Sequence, residues 1–165
     1  MTEPQNNAAP APGEDFHTVQ FSIDKIYVKD LSLENPGAPQ SFKFTESPQV
    51  EIGLRTRAEQ IDKDLYECVL TITVTARSGD KTVFLVEVAQ AGVFGIRGVT
   101  PDQAQPLLAV HCPAVLFPFA REAVADATMR AGFPPVQLAP INFDVLYQQQ
   151  LAQMQAQPAP AAIAS

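Results

Sequence analysis

Charge is scarce in this chain, and positive charge scarcer still. Charged residues make up 18% of its 165 residues, below the quarter or so usual for a soluble domain. The 11 Lys and Arg are outnumbered by 18 Asp and Glu, for a net charge of -7. No cluster of Lys and Arg occurs, so the counterion release that drives nucleic-acid binding has no source, and no nucleic-acid partner is expected. Cysteine is nearly absent: Cys68 and Cys112 lie far apart, form no CxxC pair and lack companion zinc ligands. They read as small buried hydrophobes in a reducing compartment. No apolar run approaches a membrane span. The opening MTEPQNNAAPAPGED has neither the basic start nor the apolar core of a signal peptide. A soluble cytoplasmic protein with no direct membrane insertion is expected.

Catalytic constellations are missing too. His17 stands in the polar N-terminal arm, and His111 adjoins Cys112, but adjacency along the chain does not bring thiolate and imidazole together. The glycines of Gly92-Val93-Phe94-Gly95-Ile96-Arg97-Gly98 follow a strand without a βαβ unit, so they spell no dinucleotide site. Asp62 and Asp64 sit in a polar loop before the third strand, with no His or second acidic cluster to make a metal site. No enzyme, metal or cofactor is expected.

What is present is one domain's worth of patterned chain. Residues 1–15 and 156–165 are Ala-, Pro- and Gln/Asn-rich with few large apolar groups, and read as a disordered arm and tail around a single domain, 16–155. The first half of the domain alternates with period two and the second half with a helical period, which predicts a segregated α+β fold. In Thr18 to Val28 the spacing puts Val19, Phe21, Ile23 and Tyr27 on one face of a first strand, with a bend and possible continuation through Glu34. QSFKFTESP reads as a long surface connection, and Val50, Ile52 and Leu54 as a short second strand.

The third strand sets Tyr66, Cys68, Leu70, Ile72 and Val74 against Glu67, Val69, Thr71, Thr73 and Thr75. A turn at Gly79 leads into the fourth strand, which sets Phe84, Val86, Val88 and Gln90 against Val83, Leu85, Glu87 and Ala89. Glu87, flanked by valines, is therefore on the outward face. Thr100-Pro101-Asp102-Gln103 spells a capping box. Pro106, Pro113 and Pro118 predict a short helical turn and a restart, with Phe119, Ala123, Val124, Ala127 and Met129 patterned before a stop at Gly132. FPPVQLAP is extended linker, and Asn142 caps a last helix from Phe143 to about Gln155.

Apolar surface exceeds what one small sheet and two helices can hide. Strands three and four are apolar or small on both faces, and Phe42, Phe44, Phe94, Phe117, Phe119 and Phe133 lie in or beside loops and proline positions. Together they suggest oligomerisation or aromatic grooves that accept another chain.

The segments FSIDKIYVKDLSLENPGAP, DLYECVLTITVTA, VFLVEVAQAGVFGI, CPAVLFPFARE and FPPVQLAPINFDVLY, in that order over residues 16–152, resemble the SecB family of bacterial protein-export chaperones. The resemblance implies a four-stranded antiparallel sheet, a long helix and a C-terminal helix, with protomers assembled as a dimer of dimers. It implies an ATP-independent chaperone that holds unfolded precursor proteins and passes them to the export motor SecA, whose basic, zinc-binding C-terminal segment it receives. By the same resemblance the motor-binding positions are Asp30, Glu34, Leu85 and Glu87, and the positions to which the tetramer is sensitive are Phe84, Val86, Val88 and Gln90. Phe42, Phe44, Leu54 and Phe94, aromatics and aliphatics near the long connection and strand ends, are candidates for the client groove.

Three other readings compete. A SecB-like chaperone dedicated to a toxin-antitoxin pair would share fold and groove. A small oligomeric enzyme is disfavoured by the lack of convergent polar groups, and a plain structural dimer would fail to suppress aggregation.

Overall fold

A computed structural model describes residues 18–156. The N-terminal arm with His17, and the tail from residue 157, lie outside the described residues. Strands β1 (Gln20–Glu34), β2 (Gln49–Asp62), β3 (Leu65–Ser78) and β4 (Lys81–Arg97) form one antiparallel sheet in the order β1-β4-β3-β2. Two tight turns give the β2-β3-β4 meander: Asp64 takes φ 59° after β2, and Gly79 takes φ 57° after β3. β1 pairs with β4, so the connection from β1 to β2 must cross the end of the sheet. It carries a short 3-10 turn, Gln40–Lys43, and is tied down by Asn35, whose side-chain amide donates to the Ala131 carbonyl at 2.9 Å.

Alternation on the two central strands holds except at Val83, which was grouped with Leu85 and Glu87 but is left unpaired by a register shift opposite Ala76 and Arg77 and is buried in the core. Cys68, Leu70, Ile72 and Val74 of β3, and Phe84, Val86, Val88 and Gln90 of β4, are buried beneath the helical layer. The first strand departs from its simple alternation. Register shifts between Ile23 and Lys25 and between Val28 and Asp30 each insert an extra residue. The first bulge turns Tyr27 to the opposite face from Phe21 and Ile23, with which the sequence pattern had grouped it. β2 is also far longer than Val50 to Leu54. It is an edge strand exposed over almost its whole length, so no hydrophobic alternation marks its second half.

The helical half differs most from expectation. Helix Pro101–Pro106, a π turn Leu107–His111 and helix Cys112–Arg130 run on as a single long helix, Pro101–Arg130. Pro106 and Pro118 are exposed, so water can take the carbonyls their missing N–H groups leave unpaired, and the helix passes through them. At 30 residues, this helix is long and apolar enough to cross a membrane. Dividing the segment at its prolines hides that length. The apolar character belongs to a core face: Leu116, Ala120 and Val124, at helical spacing, have no exposed surface. Burying a side chain such as Leu116 stabilises the fold by about 2 kcal/mol. Phe119 and Met129, read as part of that stripe, are instead half exposed.

The helix starts at the expected capping box, with the Thr100 N–H donating to Gln103 Oε1 at 2.9 Å and the Gln103 N–H to Thr100 Oγ1 at 3.4 Å. It stops at Gly132, φ 90°. Asn142 Oδ1 accepts from the Val145 N–H at 3.1 Å and opens the C-terminal helix, Phe143–Ala156, anchored by buried Phe143.

Candidate partner-binding faces

The sheet face away from the long helix is laid out in rows by the strand register. One row runs Glu34, Leu85, Thr75, Glu51; the next Ser32, Glu87, Thr73, Gly53; the next Asp30, Ala89, Thr71, Arg55; then Tyr27, Ala91, Val69, Arg57. The structure therefore brings Asp30, Glu34, Leu85 and Glu87 together on one outward patch across β1 and β4. Glu87, half-buried between two core valines, is solvated by Thr73, whose hydroxyl donates to Glu87 Oε2 at 2.9 Å.

Beside this patch lies a polar cluster that residue patterns did not signal. Lys29, the extra residue of the second bulge, donates to both oxygens of Glu67 at 2.8 and 2.6 Å, and the Tyr27 hydroxyl donates to the same carboxylate. Arg57 stands 3.9 Å away. The Lys29 and Tyr27 hydrogen bonds hold the Glu67 carboxyl below its ordinary range despite burial. Burial, then the hydrogen bond to Glu67, pushes the Tyr27 phenol up to about 12. The cluster became possible only when the bulges turned Tyr27 and Lys29 outward.

Around the crossing connection, Phe42 and Phe44 border a hollow of about 300 Å³ shared with Val83, Gly132, Phe133 and Pro134. Phe133 bridges the groove to the core, with ring centroids 5.3 Å from Phe42 and 5.0 Å from Phe84. Phe42 and Phe44 are 52% and 41% exposed, an arrangement open to an incoming apolar side chain. Gly132 makes room for it, since a Cβ there would lie 3.0 Å from the Phe42 ring.

The other two groove candidates lie elsewhere. Leu54 borders a separate hollow between β2 and the C-terminal helix, with Phe143, Leu146 and Tyr147. Phe94 has no exposed surface and stacks on Phe21 in the core, a burial its place near a strand end did not reveal. Phe84, Val86 and Val88 lie in the hydrophobic core of the single chain, and Gln90, also buried, donates to the Tyr27 carbonyl of β1 at 3.0 Å.

Two faces of one sheet thus present different chemistry: an exterior with an acidic patch across β1 and β4, and an aromatic hollow at the end of the helical layer. Both are surfaces suited to binding. Comparison with known proteins makes the assignment specific. The family model for the preprotein translocase subunit SecB matches residues 14–154. The protein-export protein SecB of Azoarcus sp. (strain BH72) is 57% identical over 80% of this chain and 88% of the relative. That of Dechloromonas aromatica (strain RCB) is 55% identical over 84% and 91%. The chain belongs to the SecB family, and its function is that of a protein-export chaperone. A Mycobacterium tuberculosis SecB-like chaperone, solved in complex with a ChAD peptide from an antitoxin, shares the fold. Its TM-score is 0.62 at 17% identity, covering 73% of this chain and 90% of that one. The export names of the relatives do not favour a dedicated toxin-antitoxin role.

Proposed function

We propose that the chain works in the cytoplasm as an ATP-independent holdase, which binds unfolded precursors in the aromatic hollows and delivers them to the motor SecA at the outer sheet face. The observation that carries this reading is the convergence of Asp30, Glu34 and Glu87 around Leu85 on a face turned away from Phe42 and Phe44. A cargo and a receptor can then be held at once. Carboxylates suit a basic motor segment.

An unfolded segment gains roughly 25 cal/mol per Å² of apolar area buried, and much of that is cancelled by ordering the chain. One hollow binds weakly. A dimer of dimers offers several, so a client wrapped over them is held by effective concentration with little demand on its sequence. In this reading Phe84, Val86, Val88 and Gln90 act on assembly through the packing of the long helix, the layer through which dimers meet. Phe42 and Phe44 are the principal groove residues, with Leu54 in a second contact area.

The test replaces Phe42 and Phe44 together with Ala. Affinity for an unfolded precursor should fall about tenfold, equivalent to about 1.4 kcal/mol, while native mass shows the tetramer intact. Unchanged affinity in an intact tetramer contradicts the groove assignment.

A further inference from the structure

The outer face has a second pole. Asp30, Ala89, Thr71 and Arg55 are register partners in one row, so Asp30 on β1 and Arg55 on β2 stand at opposite ends of it. With strands about 4.8 Å apart, the two ends are separated by about 14 Å. Between them lies a trough of about 640 Å³ with a floor of small side chains, Val69, Thr71 and Ala89. Asp30 and Glu87 stand on one side, Arg55 and Arg57 on the other, and Lys29 is held by Glu67.

Among the described residues Arg55 has no ion-pair or hydrogen-bond partner, and Arg57 has only the contact with Glu67 at 3.9 Å, with its side chain 61% exposed. Two guanidinium groups two residues apart on one face of an edge strand, one unpaired and the other held only by a long contact to a carboxylate that Lys29 already engages, stand out in a chain of net charge -7. Arg is the side chain best shaped to hold a carboxylate through paired N–H donors.

Resting on the motor docking proposed above, we propose that the trough takes a peptide segment of both signs. Its cationic side chains lie toward Asp30 and Glu87, and a carboxylate of the same segment is held by Arg55 and Arg57. The carboxylate pole fixes the direction in which the segment lies, which an acidic patch alone leaves open. It also discriminates against purely basic peptides, among them basic stretches of unfolded clients.

The test uses the full chain and two zinc-loaded synthetic peptides of the motor's C-terminal segment, one with its carboxylates free and one with them converted to amides. Wild type should bind the free-carboxylate peptide roughly five- to tenfold more tightly. Arg55→Ala/Arg57→Ala should bind both at the weaker level, and Arg55→Lys/Arg57→Lys should recover part of the difference. Glu87→Lys should lose both. If the Ala pair keeps the wild-type preference, or wild type shows none, the second pole is wrong while the acidic site stands. If Glu87→Lys leaves both affinities unchanged, the acidic docking site fails instead, whatever the arginines do.

Discussion

The Cys68 thiol lies 3.8 Å from the carbonyl oxygen of Leu108, a carbonyl that the long helix leaves without a backbone donor. In the π turn the Cys112 N–H donates to Leu107, skipping Leu108, and the next candidate donor is Pro113, which has no N–H. A strand cysteine therefore completes the hydrogen bonding of a helix irregularity at the centre of the core. Burial pushes the Cys68 thiol up to about 12 and raises that of Cys112 as well. Both thiols should resist a thiol-specific reagent at neutral pH in the native protein and react once it is unfolded in urea. Rapid labelling of the folded chain would contradict this packing.

Replacing Glu67 by Gln removes the charge that engages Lys29, Tyr27 and Arg57, and should cost about 1–3 kcal/mol in urea unfolding. Its effect has a pH signature. The folded-state pKa is held below the ordinary 4.5, so the carboxylate stabilises the fold above that pH and the contribution is lost as pH falls through the lowered value. Glu67→Gln should flatten the acid side of the stability curve. On the alkaline side, Tyr27 and Cys68 are raised from 10.0 and 9.0 to about 12. Their contribution is present below the ordinary values and fades as pH climbs toward 12.

Gly92 lies opposite Cys68, where the sheet meets the long helix. A Cβ there would come within 2.8 Å of the Phe94 ring and 3.1 Å of Leu116. Gly92→Ala should therefore destabilise the chain by about 1–3 kcal/mol through overpacking, lowering the thermal midpoint. A neutral result would mean that the helix stands further from the sheet than described.

How much of this was legible beforehand follows from what each feature depends on. The two faces of β3 and β4 could be read because core burial imposes alternation on the strand itself. The bulges of β1 could not, because they are set by pairing with β4, and with them went the outward turn of Tyr27 and the cluster around Glu67. The long helix was hidden because a proline's cost depends on which side of the helix meets water, as at Pro106 and Pro118. Arg55 and Arg57 gave no signal because β2 is polar on both sides through that stretch. The acidic positions were found by family resemblance, but their outward direction on β4 was already fixed by alternation around Glu87.

Adjacent residues on β4 should therefore fail differently. Glu87 is half-buried on the outer face and bonded to Thr73, whereas Val86 has no exposed surface. Glu87→Lys should fold and assemble like wild type, whereas Val86→Glu places an unpaired charge in the core and should cost at least 3 kcal/mol.

Native mass measurement of wild type, Glu87→Lys and Val86→Glu, each alone, with an unfolded precursor and with the motor, tests the whole account. Wild type should run as a tetramer that takes up both partners, Glu87→Lys as a tetramer that takes the precursor and loses the motor, and Val86→Glu as a disrupted assembly. A wild-type monomer indifferent to both partners, or the same defect in both variants, would contradict it.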